Sequence, residues 1–471
     1  MMTDKQEINN LIKNTILYSI GPLLNRIIAL SLLPIYSFVL SKNEFGYFDL
    51  LTVSVPLIIS IITYKIADGV YLWLLENKNN LQQQKTSITN GFVVLGIVIL
   101  FLIISVVVIP ASNHLPSHYL TLGFIISLII YLQLQQILRG LSFVKVYTCL
   151  AILNSLFIIV FTAIFIFNWQ NKIAAILTSL TLANFLSILI IAFYIKINRW
   201  IDAAALDWKK IKQMLAYSGP LVLNAVAWWS MSGFERYIIN YHLGIEINAE
   251  YAIPIKYASL LLLLNSFFLP AWQDFLLTKN DEGKTVSKNR YLNEYLVFQF
   301  TAVICISCLA PFVFNAFFEN NYHKSWIYAP LLLLSTAFFG LSSFLGAYLV
   351  AQKNSRQLFS TTVWGSIINI AITLLLINQL RLYAICIGQL TGYVVTFCIR
   401  YFQLKNKMNL QINLPVLALL ISFFIAFYIG LQYASTVFLI LLFLCSCGLA
   451  IIFNKQLLLE ILRFTRFYRK K

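Results

Sequence analysis

Acidic residues are scarce in this chain. Its 471 residues include 17 Asp and Glu against 34 Lys and Arg, and charged residues together make up only 11%. An ordinary soluble domain carries about 25% charged residues, so the polar surface of a water-soluble globule is missing. Histidine is rarer still. His114, His118, His242 and His323 are the only four, and all fall near the expected outer face. They are candidates for an external pH sensor, although interfacial placement without function fits them better. The seven cysteines, Cys149, Cys305, Cys308, Cys386, Cys398, Cys445 and Cys447, all lie in apolar stretches. Cys305 and Cys308 form a CxxC, but no second pair or His cluster accompanies it. Small apolar core residues are expected there rather than metal or redox chemistry. Long polar loops are absent too. The most polar interior stretch, 196–212, offers only the carboxylates Asp202 and Asp207. A membrane-bound glycosyltransferase or polymerase needs clustered carboxylates or histidines, so an enzyme is not expected. Nor is a cleaved signal peptide: the first apolar run is too long and no small-residue cleavage site follows it.

What the chain has in abundance is apolar sequence, 60% of all residues. Membrane-spanning helices need roughly 20 consecutive apolar residues, and the sequence supplies them repeatedly. The expected spans are about 14–40, 47–75, 89–110, 118–138, 146–168 and 172–195. After the linker 196–212 come about 215–241, 249–276, 292–316, 327–351, 357–378 and 381–400. Two more follow, about 413–431 and 434–453, and then a basic tail, 455–471, suited to an amphipathic helix on an anionic leaflet. The fold class is therefore an all-α integral membrane protein of about 14 helices. Charge placement tests the count. With a cytoplasmic N-terminus, 26 of the 34 Lys and Arg fall on cytoplasmic segments and four on external loops: Lys42, Lys172, Lys324 and Arg381. This partition places both termini in the cytoplasm. It also accounts for most of the net charge of +17 without nucleic acid.

Four cations remain inside spans: Arg26, Lys65, Arg236 and Lys256. A charge near the bilayer centre costs about 2.5–3.5 kcal/mol even on the translocon scale. Each is therefore expected to face a cavity or a partner. At about 1.5 Å of rise per residue, Arg26 and Lys65 lie roughly 15–18 Å from the inner face, and Arg236 and Lys256 roughly 8–10 Å from the outer one. Lys65 can pair with Asp68 at i,i+3. Glu235 and Arg236 are adjacent, so poor pairing is expected within a helix, with Arg236 free to snorkel outward. Asp68, Glu235 and Asp274 are candidates for Na⁺ or H⁺ coupling, with a structural counter-ion role standing equally beside it. Trp228, Trp229 and Tyr257 are candidates for stacking on sugar rings, although packing is the more common role of such residues.

Two phrases repeat: Tyr18-Ser19-Ile20-Gly21-Pro22 and Tyr217-Ser218-Gly219-Pro220. The middle of the chain thus reads as a second beginning, as in transporters built from two parallel repeats. Several stretches resemble one family. The turn Leu40-Ser41-Lys42-Asn43-Glu44-Phe45-Gly46-Tyr47 resembles a Leu…Glu-aromatic-Gly turn after its first helix. Residues 215–254 resemble its seventh and eighth helices, with the acidic-Arg pair at Glu235 and Arg236 and a late Tyr251. Glu235 and Glu250 depart from the Asp and Gly more common there. The turn 353–356 with Asn369, and the small-residue stretch from Gly388 to Thr396, complete the likeness. The family is that of Wzx-type polysaccharide flippases in the MOP exporter superfamily.

The resemblance implies two six-helix lobes related by a pseudo-two-fold axis, 1–200 and 201–407, followed by a final segment, 408–471, with two more helices. It implies alternating access and a polyprenyl-pyrophosphate-linked oligosaccharide as cargo. The setting would be the bacterial inner membrane, serving O-antigen, lipopolysaccharide or capsule assembly alongside a polymerase and chain-length machinery. Lipid II flippases of the same superfamily use cavity arginines. By analogy Arg26, Lys65 and Lys256, and more weakly Arg236, would hold the pyrophosphate. No cofactor is implied beyond a coupling Na⁺ or H⁺. The alternative is a cation-coupled MATE-type drug exporter, whose cationic cargo would call for an acidic cavity.

Overall fold

The computed structural model describes residues 27–28, 30–108, 118–278, 285–352, 354–433 and 436–455. Every regular element among them is helical. In the first unit these are α1 (Leu30–Val39), α2 (Lys42–Ile62), α3 (Ile66–Glu76), α4 (Leu81–Val108), α5 (His118–Gly140), α6 (Val144–Asn168), α7 (Lys172–Ile195) and α8 (Trp208–Ser232). The second unit continues with α9 (Phe234–His242), α10 (Ile245–Ala258), α11 (Leu260–Thr278), α12 (Thr285–Phe317), α13 (Ala329–Ala351), α14 (Ser355–Leu380), α15 (Leu382–Met408), α16 (Leu414–Tyr433) and α17 (Thr436–Phe453). The chain divides into compact units 1–229 and 230–471, the boundary falling inside α8.

Among the described residues, eleven helical segments are long and apolar enough to cross a membrane, so the count of fourteen is not confirmed. Three expectations account for the difference. The first span begins outside the described residues, leaving the short apolar α1. The seventh is cut at Gly233 into α8 and α9. The last yields only the short apolar stretch Val437–Phe453. Exposed Phe101, Phe167, Phe193, Leu375 and Phe402 suit lipid rather than water.

Within the first unit, α5 packs on α3 and α7, and α6 packs on α7. Lipid offers no hydrophobic drive between helices, so polar side chains and small residues hold such bundles. Here Asn154 on α6 donates to Asn184 Oδ1 (3.2 Å) and Ser187 Oγ (3.1 Å) on α7, and Asn184 donates to Ser127 on α5 (3.3 Å). The turn before α2 is a capping box. The Ser41 amide donates to Glu44 Oε2 (2.9 Å), and the Glu44 amide to Ser41 Oγ (3.3 Å). The helix accordingly starts at Lys42 rather than 47. The linker is docked: Asp207 N donates to Asn90 Oδ1 (3.0 Å) and Asp202 N to Thr89 Oγ1 (3.0 Å), both on α4. Lys210 reaches Gln83 from the start of α8. Burial pulls the Lys210 amine below its ordinary pKa, and Asp207 works against that shift.

In the second unit α15 packs on α13 and α14, and α12 on α13, α16 and α17. The small-residue stretch noted in the sequence explains the close α14 and α15 crossing. A Cβ at Gly392 would lie 2.7 Å from the Gly365 carbonyl oxygen, and one at Gly388 would lie 2.8 Å from that of Asn369. An aromatic stack of Trp272, Phe344, Phe268 and Tyr295, with centroids 4.2 to 6.1 Å apart, forms much of its core.

Candidate functional site

The expected second span is not one helix. It stops at Ile62 and restarts at Ile66. Between them Tyr64 (φ 50°) and Lys65 (φ 51°) adopt the left-handed conformation, which costs a residue with a Cβ roughly 1–2 kcal/mol. No glycine or proline lies in 63–65 to force the break. Contacts sustain it. The Tyr64 hydroxyl lies where a Cβ on Gly219 would sit only 2.9 Å away, so the glycine of the repeated Tyr-Ser-Gly-Pro phrase makes room for the ring. One turn on, Gly69 of α3 meets Ser218 and Met214 of α8. Interrupted helices of this kind mark binding sites in transporters, because the freed backbone is tolerated only beside protein or a cavity.

Lys65 sits at that break and starts a polar chain. Its Nζ donates to Asp68 Oδ2 at 2.9 Å, Gln136 Nε2 donates to Asp68 Oδ1 at 3.0 Å, and Arg139 Nη1 donates to Gln136 Oε1 at 3.3 Å. The i,i+3 pairing of Lys65 with Asp68 is present, but Lys65 is outside the helix that carries Asp68. The Arg139 guanidinium lies over the Tyr71 ring at 4.6 Å and near Tyr147 at 5.9 Å. Two cavities meet at this network. One, of about 310 Å³, is lined by Lys65, Asp68 and Arg139 together with Tyr131, Gln133, Gln135 and Gln136. The other, of about 410 Å³, is lined by the same three charged residues with Tyr71, Tyr217, Asn224 and Trp228. Two cations and one carboxylate leave this wall net positive. Arginine can grip phosphate oxygens bidentately, and lysine adds a point charge.

Arg139 is the residue sequence reasoning missed. It reads as part of a basic cytoplasmic turn, 139–145, but belongs to the last turn of α5. A usable signal was present: Gln133, Gln135 and Gln136 interrupt an apolar span, and desolvating three carboxamides demands partners. Arg400 stands at the end of the expected span 381–400. It is buried in α15 and donates to Thr361 Oγ1, Thr362 Oγ1 and the carbonyls of Ser342 and Leu358, at 2.8 to 3.3 Å. It staples α13, α14 and α15.

The remaining candidates separate. Arg26 lies outside the described residues. Asp274 lies on α11, and its side chain is outside the description. Glu235 and Arg236 belong to the second unit, both nearly fully buried. Poor pairing is not what is found: Arg236 Nη1 donates to Glu235 Oε1 at 2.6 Å. The break at Gly233 explains this. Arg236 folds back over the new helix start and also reaches the Ser232 carbonyl. Tyr251 donates to the same Glu235 oxygen at 2.8 Å, beneath the guanidinium at 5.2 Å. Lys256 is half-buried on α10, next to the break at Ser259. Of the stacking candidates, Trp228 lines the larger cavity. Trp229 is held by its indole donating to the Val53 carbonyl (2.9 Å), and Tyr257 is buried, donating to the Ile306 carbonyl (2.7 Å). His114 lies outside the described residues. His118 starts α5, His242 ends α9, and His323 sits in the short helical turn Asn320–Tyr328. Among the described residues no group of three or more His, Cys, Asp or Glu is placed to hold a metal ion.

The architecture recurs in solved transporters. The lipid II flippase MurJ in an inward closed conformation superposes with a TM-score of 0.68 at 15% identity, covering 95% of this chain and 100% of that one. An inward-facing multidrug resistance MATE family transporter of the MOP superfamily gives 0.67 at 12% identity, over 83% and 94%. The described residues are thus all-helical, with the fold of these solved transporters, and the chain is a multi-pass membrane protein. Residues 11–273 match the family described as polysaccharide biosynthesis protein, more than half of the chain, and the chain belongs to that family. A probable G-protein coupled receptor, Mth-like 8 of Drosophila melanogaster, is 25% identical over 203 residues, 40% of this chain. The chain spans only 39% of that receptor's length, too little for a shared family.

Proposed function

We propose that this chain is an alternating-access flippase. Its cargo is a polyprenyl-pyrophosphate-linked oligosaccharide repeat unit, carried from the cytoplasmic to the outer leaflet of a bacterial inner membrane for surface polysaccharide such as O-antigen. Both termini lie in the cytoplasm. The lobes are 1–200 and 201–407, with 408–471 appended, and a polymerase with chain-length machinery receives the product. The observation that carries the reading is the net-positive network of Lys65, Asp68 and Arg139 shared by two cavities. A pyrophosphate drawn through a low-dielectric membrane needs cations that offset its lost hydration. Lys65 and Arg139 take that role, and Arg26 and Lys256 extend it to other levels. Arg236 serves Glu235 first, which makes that pair a fixed point of the second unit. Asp68, Glu235 and Asp274 are the carboxylates through which Na⁺ or H⁺ would couple. Export of a cationic drug, the alternative, calls for a cavity of the opposite sign.

The test is translocation of a fluorescent polyprenyl-pyrophosphate sugar in proteoliposomes. Wild type should move it, and Lys65→Ala and Arg139→Ala should each reduce movement more than tenfold while keeping a native melting temperature. Undiminished movement in both well-folded variants would leave these charges structural. Transport of cationic dyes in place of the lipid would favour the drug exporter.

A further inference from the structure

We infer that the part of the 310 Å³ cavity lined by Gln133 is a subsite for neutral sugar hydroxyls, distinct in chemistry from the cationic wall of the same cavity; the inference rests on the flippase reading. The cavity's volume falls at the low end of small-molecule sites. Apart from Arg139 in the last turn, the polar side chains that α5 contributes to it are uncharged: Tyr131, Gln133, Gln135 and Gln136. Gln135 donates to Tyr131 at 2.8 Å. Gln133 is different. It is fully buried, yet among the described residues neither Oε1 nor Nε2 has a hydrogen-bond partner. A buried carboxamide left so is destabilising, because it gives up its hydration and gains no partner. The fold nonetheless makes room for it: a Cβ on Gly91 of α4 would lie 2.6 Å from its Nε2.

A carboxamide presents one acceptor and two donors side by side. Two adjacent hydroxyls match it, one donating to Oε1 and the other accepting from Nε2. A pyrophosphate does not, because it has only acceptors to offer and would leave Oε1 unmet. Lys65 and Arg139 hold the charged linkage, and Gln133 reads the first sugar beyond it. Lys65, Arg139 and Gln133 line the same cavity, which makes these neighbouring parts of one ligand.

The experiment measures binding by full-length protein in nanodiscs. The probes are short-chain polyprenyl pyrophosphate, bare or carrying glucose, galactose or N-acetylglucosamine. Wild type should bind at least one glycosylated probe about tenfold more tightly than the bare lipid, the worth of two neutral hydrogen bonds. Gln133→Leu should abolish that advantage, leave the bare lipid unchanged, and hold or raise the melting temperature, because an orphaned amide is replaced by an apolar group. Gln133→Asn should keep part of the advantage. The inference is overturned if wild type prefers none of the sugars, or if Gln133→Leu retains the preference. It is also overturned if Gln133→Leu weakens bare and glycosylated lipids alike or lowers the melting temperature, which marks a merely structural or water-binding amide. Arg139→Gln separates the two readings, because it should weaken all four probes equally. A flat response to Arg139→Gln beside a sugar-specific loss in Gln133→Leu would sink the cationic wall and leave the sugar subsite standing.

Discussion

Replacing Asp68 with asparagine changes the charge of the cavity wall without changing its shape. In the wild type Lys65, Asp68 and Arg139 sum to one positive charge. Asp68→Asn raises this to two, Lys65→Gln and Arg139→Gln lower it to zero, and the double variant Asp68→Asn with Lys65→Gln restores it to one. Two unit charges about 4 Å apart interact by about 4 kcal/mol at an effective dielectric of about 20. The side chains of Lys65 and Asp68 are 29% and 28% exposed, so water screens much of this. A residual of about 1–1.5 kcal/mol per charge corresponds to roughly five- to tenfold in Kd. Binding of a bare polyprenyl pyrophosphate in nanodiscs should therefore tighten by about that factor in Asp68→Asn and weaken by it in either single cation variant. It should return close to wild type in the double variant. The spread should narrow as salt is raised. The reasoning is refuted if Asp68→Asn weakens binding as much as Lys65→Gln does. Asp68 would then be acting by positioning the cations, and net charge would not govern the site.

Three further outcomes test the packing. Gly392→Ala should destabilise the protein by about 1–3 kcal/mol, read as a lower melting temperature in detergent, because the added methyl meets a backbone carbonyl that cannot turn aside. Arg236→Met strands the buried Glu235 and should cost about 3–5 kcal/mol, while the double variant Glu235→Gln with Arg236→Met should cost less than the single one; additive losses in a thermal-melt cycle would contradict the pairing. Asn154→Leu removes hydrogen bonds to Asn184 and Ser187 and should cost about 0.6–2 kcal/mol, with no change in pyrophosphate affinity.

The helices that were easiest to read are those whose neighbours contribute least to their definition. The expected 146–168 and 172–195 reappear as α6 and α7 almost unchanged. Each is a uniform apolar run, and Asn171 caps the second by accepting from the Ala174 amide at 2.9 Å. The capping box at Ser41 and Glu44 was written in the sequence as well. The charged pair of Lys65 and Asp68 was legible as a spacing, but its meaning was not. Tyr64 and Lys65 carry no local instruction to leave the helix. Tyr64 does so against Gly219, 155 positions away in a segment that reads on its own only as a repeated phrase. Adjacent Glu235 and Arg236 point apart on an ideal helix, and the break at Gly233 reverses that expectation.

By itself the sequence determined that the chain lives in a membrane, that it is helical throughout, and that a handful of charges in apolar surroundings would need an explanation. Hydrophobicity and charge density are sums over residues, so they survive without coordinates. Only the tertiary structure decided which charges meet. Arg139 and Arg400 look alike as basic residues near helix ends, yet one lines two cavities and the other is sealed among hydroxyls and carbonyls of two neighbouring helices. The difference lies in which neighbours close around each guanidinium, and the long-range ones, Tyr71 at Arg139 and Ser342, Thr361 and Thr362 at Arg400, are 38 to 68 positions distant in the chain.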